Sequence, residues 1–148
     1  MSKSIEELKS LTTQIRRDIL RMVHAVNSGH PGGSLGCVEY FTALYGKVMN
    51  YKQPFSMEAK GEDVFYLSNG HISPVFYSTL ARFGFFPVEE LSTFRKLNSR
   101  LQGHPTTHEH LEGIRMSSGS LGQGLSVGIG TALAKKLDGD NSLVYTLH

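Results

Sequence analysis

The sequence has no tryptophan, only one cysteine and no long hydrophobic run. The single cysteine, Cys37, can form neither an internal disulfide nor a cysteine-based zinc site, and we interpret it as a small, partly buried thiol. No apolar run approaches the roughly 20 residues of a membrane-spanning helix. The N-terminal segment carries Glu6 and Glu7 and lacks the apolar run of a signal peptide. We therefore expect a cytoplasmic protein with no membrane partner.

An excess of charge of one sign is also missing. The 15 Lys and Arg residues and the 13 Asp and Glu residues are mixed along the chain and leave a net charge of +2. Nucleic-acid binding requires a concentrated basic face, so we expect no nucleic-acid partner. Neither an internal repeat nor a low-complexity linker divides the 148 residues, which indicates a single domain.

Hydrophobic periodicity predicts helices that alternate with short buried strands. Ser4 and Glu7 have the spacing of a capping box, so a helix should follow them, and it should end at the loop 29–33. The other predicted helices span residues 35–48, 73–84, 87–95 and the segment from Gly124 to residue 137. The predicted strands span 63–68 and 142–147. Residues 101–118 are predicted to be irregular.

This alternation is typical of an α/β domain in which helices flank a parallel sheet. Two strands are too few to complete such a sheet. Ligands of open parallel sheets lie beyond the carboxyl ends of the strands, which is where this sequence stops. We therefore expect the fold to be incomplete in this chain.

The glycine-rich segment 119–124 differs from the standard phosphate-binding loops. Gly119 and Gly124 have the spacing of a P-loop, but Leu125 stands where that motif needs lysine, and the dinucleotide fingerprint also fails. Glycines at a helix start still allow main-chain N–H groups to approach an anion closely. The alternative is that the glycines only permit close helix packing.

Three of the seven histidines, His30, His71 and His104, each follow a glycine in a predicted loop or turn. Imidazoles at such positions can donate to phosphate or transfer protons near neutral pH. His104, His108 and His110 also raise the possibility of a zinc site. Pro105 opposes a helix that would align them and no fourth ligand is evident, so we favour a solvated loop and predict no metal ligands.

Four segments together resemble the N-terminal, pyrophosphate-binding domain of the transketolase family, in the order that the family has them. They are GHPGGSLG (29–36), LSNGH (67–71), QGHP (102–105) and SGSLGQG (118–124). The resemblance covers essentially the whole chain. It implies the thiamine-diphosphate-binding fold and identifies residues 1–148 as the N-terminal part of that domain.

The resemblance also implies a role for each matching residue. His30 would lie near substrate oxygens and the cofactor phosphates and handle protons, and His104 would hydrogen-bond a hydroxyl of the donor substrate; both would be catalytic and substrate-binding. His71 would contact the pyrophosphate. Gly119, Ser120 and Leu121 would hold thiamine diphosphate near its aminopyrimidine and thiazolium.

The sequence departs from the family pattern in several places. Ser34 and Ser120 stand where many members have proline, and Arg115 stands where an acidic residue is common. The family's Gly-Asp-Gly and Asn ligands of Mg²⁺ would follow His148, so we expect the Mg²⁺ ligands to be absent from this chain. The pyrimidine-binding domain, with its activating Glu, is missing too.

The resemblance implies a parent enzyme that transfers a two-carbon ketol unit between sugar phosphates in the pentose phosphate pathway. Its partners would be sugar phosphates and the portion or subunit that carries the pyrimidine-binding domain, in a homo- or hetero-oligomer such as a dimer. We expect the isolated chain to be inactive. The alternatives are a non-catalytic remnant or partner-binding module, and a fragment of another thiamine diphosphate enzyme such as deoxyxylulose-phosphate synthase.

Overall fold

The capping box at Ser4 and Glu7 begins the longest helix, α1 (Ile5–Val26), in the computed structural model, which describes residues 3–148. The Ser4 hydroxyl accepts from the Glu7 amide at 3.2 Å, and the Glu7 carboxylate accepts from the Ser4 amide at 2.7 Å. These two bonds satisfy main-chain donors that a helix start leaves free. The helix ends at Asn27, which has a left-handed φ of 47°. The predicted first helix is therefore confirmed.

The second predicted helix begins earlier than expected and is divided. It forms α2 (Pro31–Gly36), α3 (Val38–Ala43) and a π-helical turn, Leu44–Val48. The expectation that 29–33 is a loop and that the helix follows Ser34 is wrong. Proline at the first helical position has its φ already near the helical value and loses no bond there, so Pro31 starts the helix in spite of the adjacent glycines. His30 becomes the N-cap residue.

Both predicted strands are present and pair in parallel. β1 (Val64–Leu67) and β2 (Val144–Leu147) align Val64 with Val144 and Leu67 with Leu147. All of β1 is buried, as its uninterrupted apolar sequence predicts, whereas β2 is only partly buried.

The remaining helices lie next to the segments that carry the candidate site residues. A short 3₁₀ helix, Gly70–Ile72, follows β1 and leads into α4 (Ser73–Arg82), and α5 (Gln123–Leu137) precedes β2. The predicted helix after Pro87 is a 3₁₀ helix, Val88–Thr93, rather than an α-helix, and Thr107–Glu109 is a further 3₁₀ turn. Within residues 3–148, no helix has both the length and the apolar character needed to cross a membrane.

The core lies between α1, α3, α4 and β1. Phe65 of β1 contacts Phe41 and Phe76, each at 5.2 Å between ring centroids. A buried carboxylate, Asp18, joins α1 to α4, since it accepts from the Arg82 guanidinium at 2.8 and 2.9 Å. Cys37 is partly buried, as expected.

Helix α5 packs on the sheet through a glycine. A Cβ at Gly128 would lie 2.5 Å from the Thr146 side chain, so only glycine allows this approach. Away from this contact, α5 exposes several apolar side chains: Leu125, Ile129, Leu133 and Leu137.

Candidate functional site

His30 and His71 meet because α2 packs closely on the 3₁₀ helix that follows β1. A Cβ at Gly33 would lie 2.8 Å from the Ile72 side chain, so the glycine permits this contact. The two imidazole rings lie edge to face, with 5.0 Å between centroids. His71 is half-buried at the carboxyl end of β1 and His30 is exposed. This is the position at which parallel sheets bind ligands.

His104 lies against the glycine-rich segment. A Cβ at Gly119 would be 3.2 Å from Cδ2 of the His104 ring, and Gly119 has a φ of +150°. The main chain before the histidine is held by α4, since the Ser73 hydroxyl donates to the Gly103 carbonyl at 2.8 Å and the Tyr77 hydroxyl donates to the Gln102 carbonyl at 2.9 Å. The imidazole is thus an exposed group on a fixed support.

A second close approach joins His71 to the same glycine-rich segment. A Cβ at Gly70 would lie 2.6 Å from the Ser118 hydroxyl and 3.1 Å from the Gly119 amide nitrogen. Glycine is therefore required at position 70 for the two segments to touch. The structure brings His30, His71, His104 and Gly119 to one surface.

The start of α5 is occupied by a protein side chain. The Ser68 hydroxyl accepts from the amides of Gly122 and Gly124 at 3.0 and 3.1 Å. The expectation that glycines at this helix start leave their N–H groups for an anion therefore fails at these two positions. Ser68 follows directly after β1, a position where functional polar residues are common, so the sequence did contain a signal for it.

Three amides just before that helix remain free. Among residues 3–148, the N–H groups of Gly119, Ser120 and Leu121 have no hydrogen-bond acceptor. Ser120 and Leu121 are exposed, and the buried side-chain oxygens Oγ of Ser118 and Oδ1 of Asn69 also lack hydrogen-bond partners. Unpaired polar groups that surround one surface are typical of a ligand site.

Positively charged side chains surround His104. Burial lowers the pKa of His104, and the nearby charges of Arg95, His71 and His30 lower it further. A neutral imidazole carries one donor and one acceptor nitrogen, so His104 can bond a hydroxyl in either sense over a wider pH range than an ordinary histidine.

The other histidines lie outside this cluster. His108 and His110 are exposed near the 3₁₀ turn at 107–109. In the described part of the chain, no group of three or more His, Cys, Asp or Glu side chains is arranged to hold a metal ion.

Arg95 is a site residue that no sequence motif indicates. Its guanidinium donates to the Ser28 hydroxyl at 2.6 Å and lies against Gly103 beside His104. Only the folded chain brings it to the histidines.

The comparisons with known proteins identify the family and the fold. Residues 8–142 match the family described as "Transketolase, thiamine diphosphate binding domain". This chain belongs to the transketolase family. The resemblance that its four motifs indicate is confirmed, and the alternative assignment to deoxyxylulose-phosphate synthase is set aside. The fold is the α/β thiamine-diphosphate-binding type.

The relatives are transketolases and transketolase subunits. The chain is 36% identical over 143 residues to an apulose-4-phosphate transketolase subunit of Phocaeicola vulgatus, in an alignment that covers 97% of this chain and 50% of that protein. It is 38% identical to the transketolase of Aquifex aeolicus, over 91% of this chain and 19% of the other. It thus spans about half of the first relative and about a fifth of the second.

Solved transketolases share the fold. The structure from Pichia stipitis in complex with sedoheptulose-7-phosphate superposes with a TM-score of 0.80 at 36% identity, over 94% of this chain and 21% of the other. The transketolase from Leishmania mexicana gives a TM-score of 0.82 at 27% identity, over 99% and 22%.

Proposed function

We propose that this chain provides the diphosphate-binding side of a thiamine diphosphate-dependent transketolase that moves a two-carbon ketol unit between sugar phosphates. The observation that carries the proposal is the surface on which three glycine-supported imidazoles surround the free amides of 119–121. Sugar-phosphate metabolism in the cytoplasm, including the pentose phosphate pathway, is the corresponding cellular role.

The residues present fit the cofactor. A diphosphate needs N–H donors, and a heteroaromatic ring needs an apolar surface. His71 and the free amides provide the donors, and Leu121, which is 65% exposed, provides apolar surface beside them. When bound, thiamine diphosphate supplies an electron sink for cleavage of the ketose carbon–carbon bond. On this proposal the Mg²⁺ ligands come from a part of the assembly other than residues 1–148.

Each histidine has a role that its position supports. His71, half-buried at the end of β1, donates to the diphosphate. His30, exposed at the start of α2, takes and returns a proton at a substrate oxygen. His104, neutral and fixed on its loop, donates to a hydroxyl of the donor sugar. Gly119, Ser120 and Leu121 hold the cofactor through their main chain.

The partner is the portion or subunit that carries the pyrimidine-binding domain. Relatives whose names describe them as transketolase subunits support an arrangement of two different chains, within a homo- or hetero-oligomer. The open, exposed surface around His30 and His104 also supports it, because catalysis in a ketol transfer needs water to be excluded.

The His71→Ala substitution tests the proposal. In the complete assembly it is expected to weaken thiamine diphosphate binding by roughly 10- to 150-fold, because a hydrogen bond to a charged group contributes about 1.5–3 kcal/mol. Turnover at saturating cofactor should change much less, since the contact exists in the ground state. Cofactor titration by calorimetry measures the first quantity and steady-state kinetics the second.

The matched control is His24→Ala, at an exposed position of α1. It should leave the cofactor dissociation constant within about twofold of wild type. An unchanged constant in His71→Ala would remove His71 from the diphosphate site. Failure of the wild-type assembly to bind the cofactor would favour a non-catalytic, partner-binding module.

The 148-residue chain alone is expected to show no turnover. It spans only about half of its relative from Phocaeicola vulgatus, and its histidines lie on an open surface. A coupled assay with a ketose phosphate, an aldose acceptor, thiamine diphosphate and Mg²⁺ measures this, with the complete assembly as the positive control. Reproducible turnover by the purified chain would contradict the expectation.

A further inference from the structure

Arg95 adopts an unusual main-chain conformation at the edge of the site. Its φ of 56° lies in the left-handed region, which is uncommon for residues other than glycine. Its amide still donates to the Leu101 carbonyl at 2.9 Å, so the conformation belongs to an ordered turn. Strained main chain of this kind persists where the surrounding structure enforces it, often at functional sites.

The Arg95 side chain joins two of the candidate segments. Its guanidinium donates to the Ser28 hydroxyl at 2.6 Å, in the loop that leads to His30. The same group lies flat on the main chain before His104, where a Cβ at Gly103 would be 2.9 Å from Cζ, Nε and Nη2. The ring of Phe94 lies 5.4 Å from Cζ and supports the guanidinium.

The positive charge of Arg95 is not neutralised. Within residues 3–148, no carboxylate lies within 4 Å of it, and its buried Nε has no hydrogen-bond partner. Other arginines of the chain, such as Arg82 and Arg115, are paired with Asp18 and Glu62. Partial burial of a cation that has no carboxylate partner is unfavourable, which favours a functional role for this charge.

We propose that Arg95 is a positioning residue that fixes the imidazole of His104 by joining its loop to the segment before His30, and that directs an unpaired positive charge at that imidazole. The assignment rests on the proposed function of His104. Arg95 is not a catalytic residue, because its guanidinium is occupied by Ser28 and covered by Gly103.

The charges around His104 agree with this assignment. Its pKa is lowered first by burial and then by Arg95, followed by His71 and His30. The guanidinium of an arginine is charged at every working pH. Its charge therefore favours the neutral form of the His104 imidazole, in the same direction as burial does.

The test compares Arg95→Gln with Arg95→Lys. Arg95→Gln should raise the pKa of His104, measured by NMR titration of ¹³C-histidine-labelled full chain, with the resonance assigned through His104→Gln. In the complete assembly it should move the acidic limb of the kcat/KM profile to higher pH. It should also lower kcat/KM for the donor sugar by about 10- to 100-fold, as expected when a reacting group is displaced.

Arg95→Lys separates charge from shape. Lysine keeps the charge but cannot lie flat on Gly103, so the acidic limb should stay near that of wild type while kcat/KM still falls. Lys96→Gln is the control, since it removes the same charge one residue further along the chain from an exposed side chain. It should change neither the pKa of His104 nor kcat/KM.

Two results would overturn the assignment: an unchanged pKa of His104 in Arg95→Gln, or equal effects of Arg95→Gln and Lys96→Gln. The NMR titration does not depend on turnover, so it tests Arg95 separately from the proposed function. If Arg95→Gln raises the pKa of His104 but the complete assembly transfers no ketol unit, the role of Arg95 is supported and the proposed function is refuted.

Discussion

Replacement of Glu62 by alanine is expected to lower the free energy of unfolding by about 3–5 kcal/mol, because removal of one partner leaves a buried charge unpaired. The Glu62 side chain is 2% exposed and accepts from the Arg115 guanidinium at 2.9 Å. Its other oxygen accepts from the Lys52 amide at 2.7 Å. The Arg115 side chain is 8% exposed and lies over the Phe55 ring, so its guanidinium would stay largely buried without the carboxylate. Burial already lowers the pKa of Arg115.

Urea unfolding followed by circular dichroism measures this loss. Glu58→Ala is the matched control, since Glu58 is 71% exposed and pairs with an exposed lysine at 3.2 Å. Its effect should stay within about 0.5 kcal/mol. Similar losses in the two variants would show that the Glu62–Arg115 pair is solvated in solution.

His104→Ala in the complete assembly is expected to reduce kcat and raise the Michaelis constant of the donor sugar, with a combined loss of about 2–4 kcal/mol in kcat/KM. The proposed partner of His104 is a sugar hydroxyl that is present in both the ground state and the transition state, so both constants should change. Cofactor binding should remain nearly intact. Steady-state kinetics and a separate cofactor titration measure these quantities.

His108→Ala provides the comparison, because His108 is an exposed histidine of the neighbouring 3₁₀ turn. Both of its constants should stay within about twofold of wild type. The same small change in His104→Ala would make His104 an ordinary surface residue. A cofactor defect with normal sugar kinetics would instead place His104 at the diphosphate.

Much of the fold follows from local sequence signals. The capping box and apolar spacing predict α1, and the apolar runs predict both strands. The division of the second helix does not follow from such signals. Apolar side chains continue through α2, α3 and the π-helical turn, so their spacing predicts one continuous helix; the actual start depends on the fixed φ of Pro31.

The candidate site was predictable in part. Three glycine–histidine pairs marked His30, His71 and His104, but their proximity depends on contacts between distant segments, such as Gly33 with Ile72 and Gly70 with Ser118. Such contacts have no local signal. Arg115 shows the same limit: its identity departs from the acidic residue common in the family, and only the structure reveals Glu62 as its buried partner.

The parallel pairing of β1 with β2 has a consequence for synthesis of the chain. The two strands are far apart in sequence, as the bond from the Leu143 amide to Asp63 shows with its separation of 80 residues. At roughly 5–20 residues per second, a ribosome makes β2 about 4–16 s after β1. During that interval β2 is not yet available to pair with the main chain of β1, but Phe65 can already pack on the aromatic rings of α3 and α4. Contacts with α3 and α4 can therefore cover β1 before β2 is synthesised, which limits the tendency of the unpaired strand to aggregate.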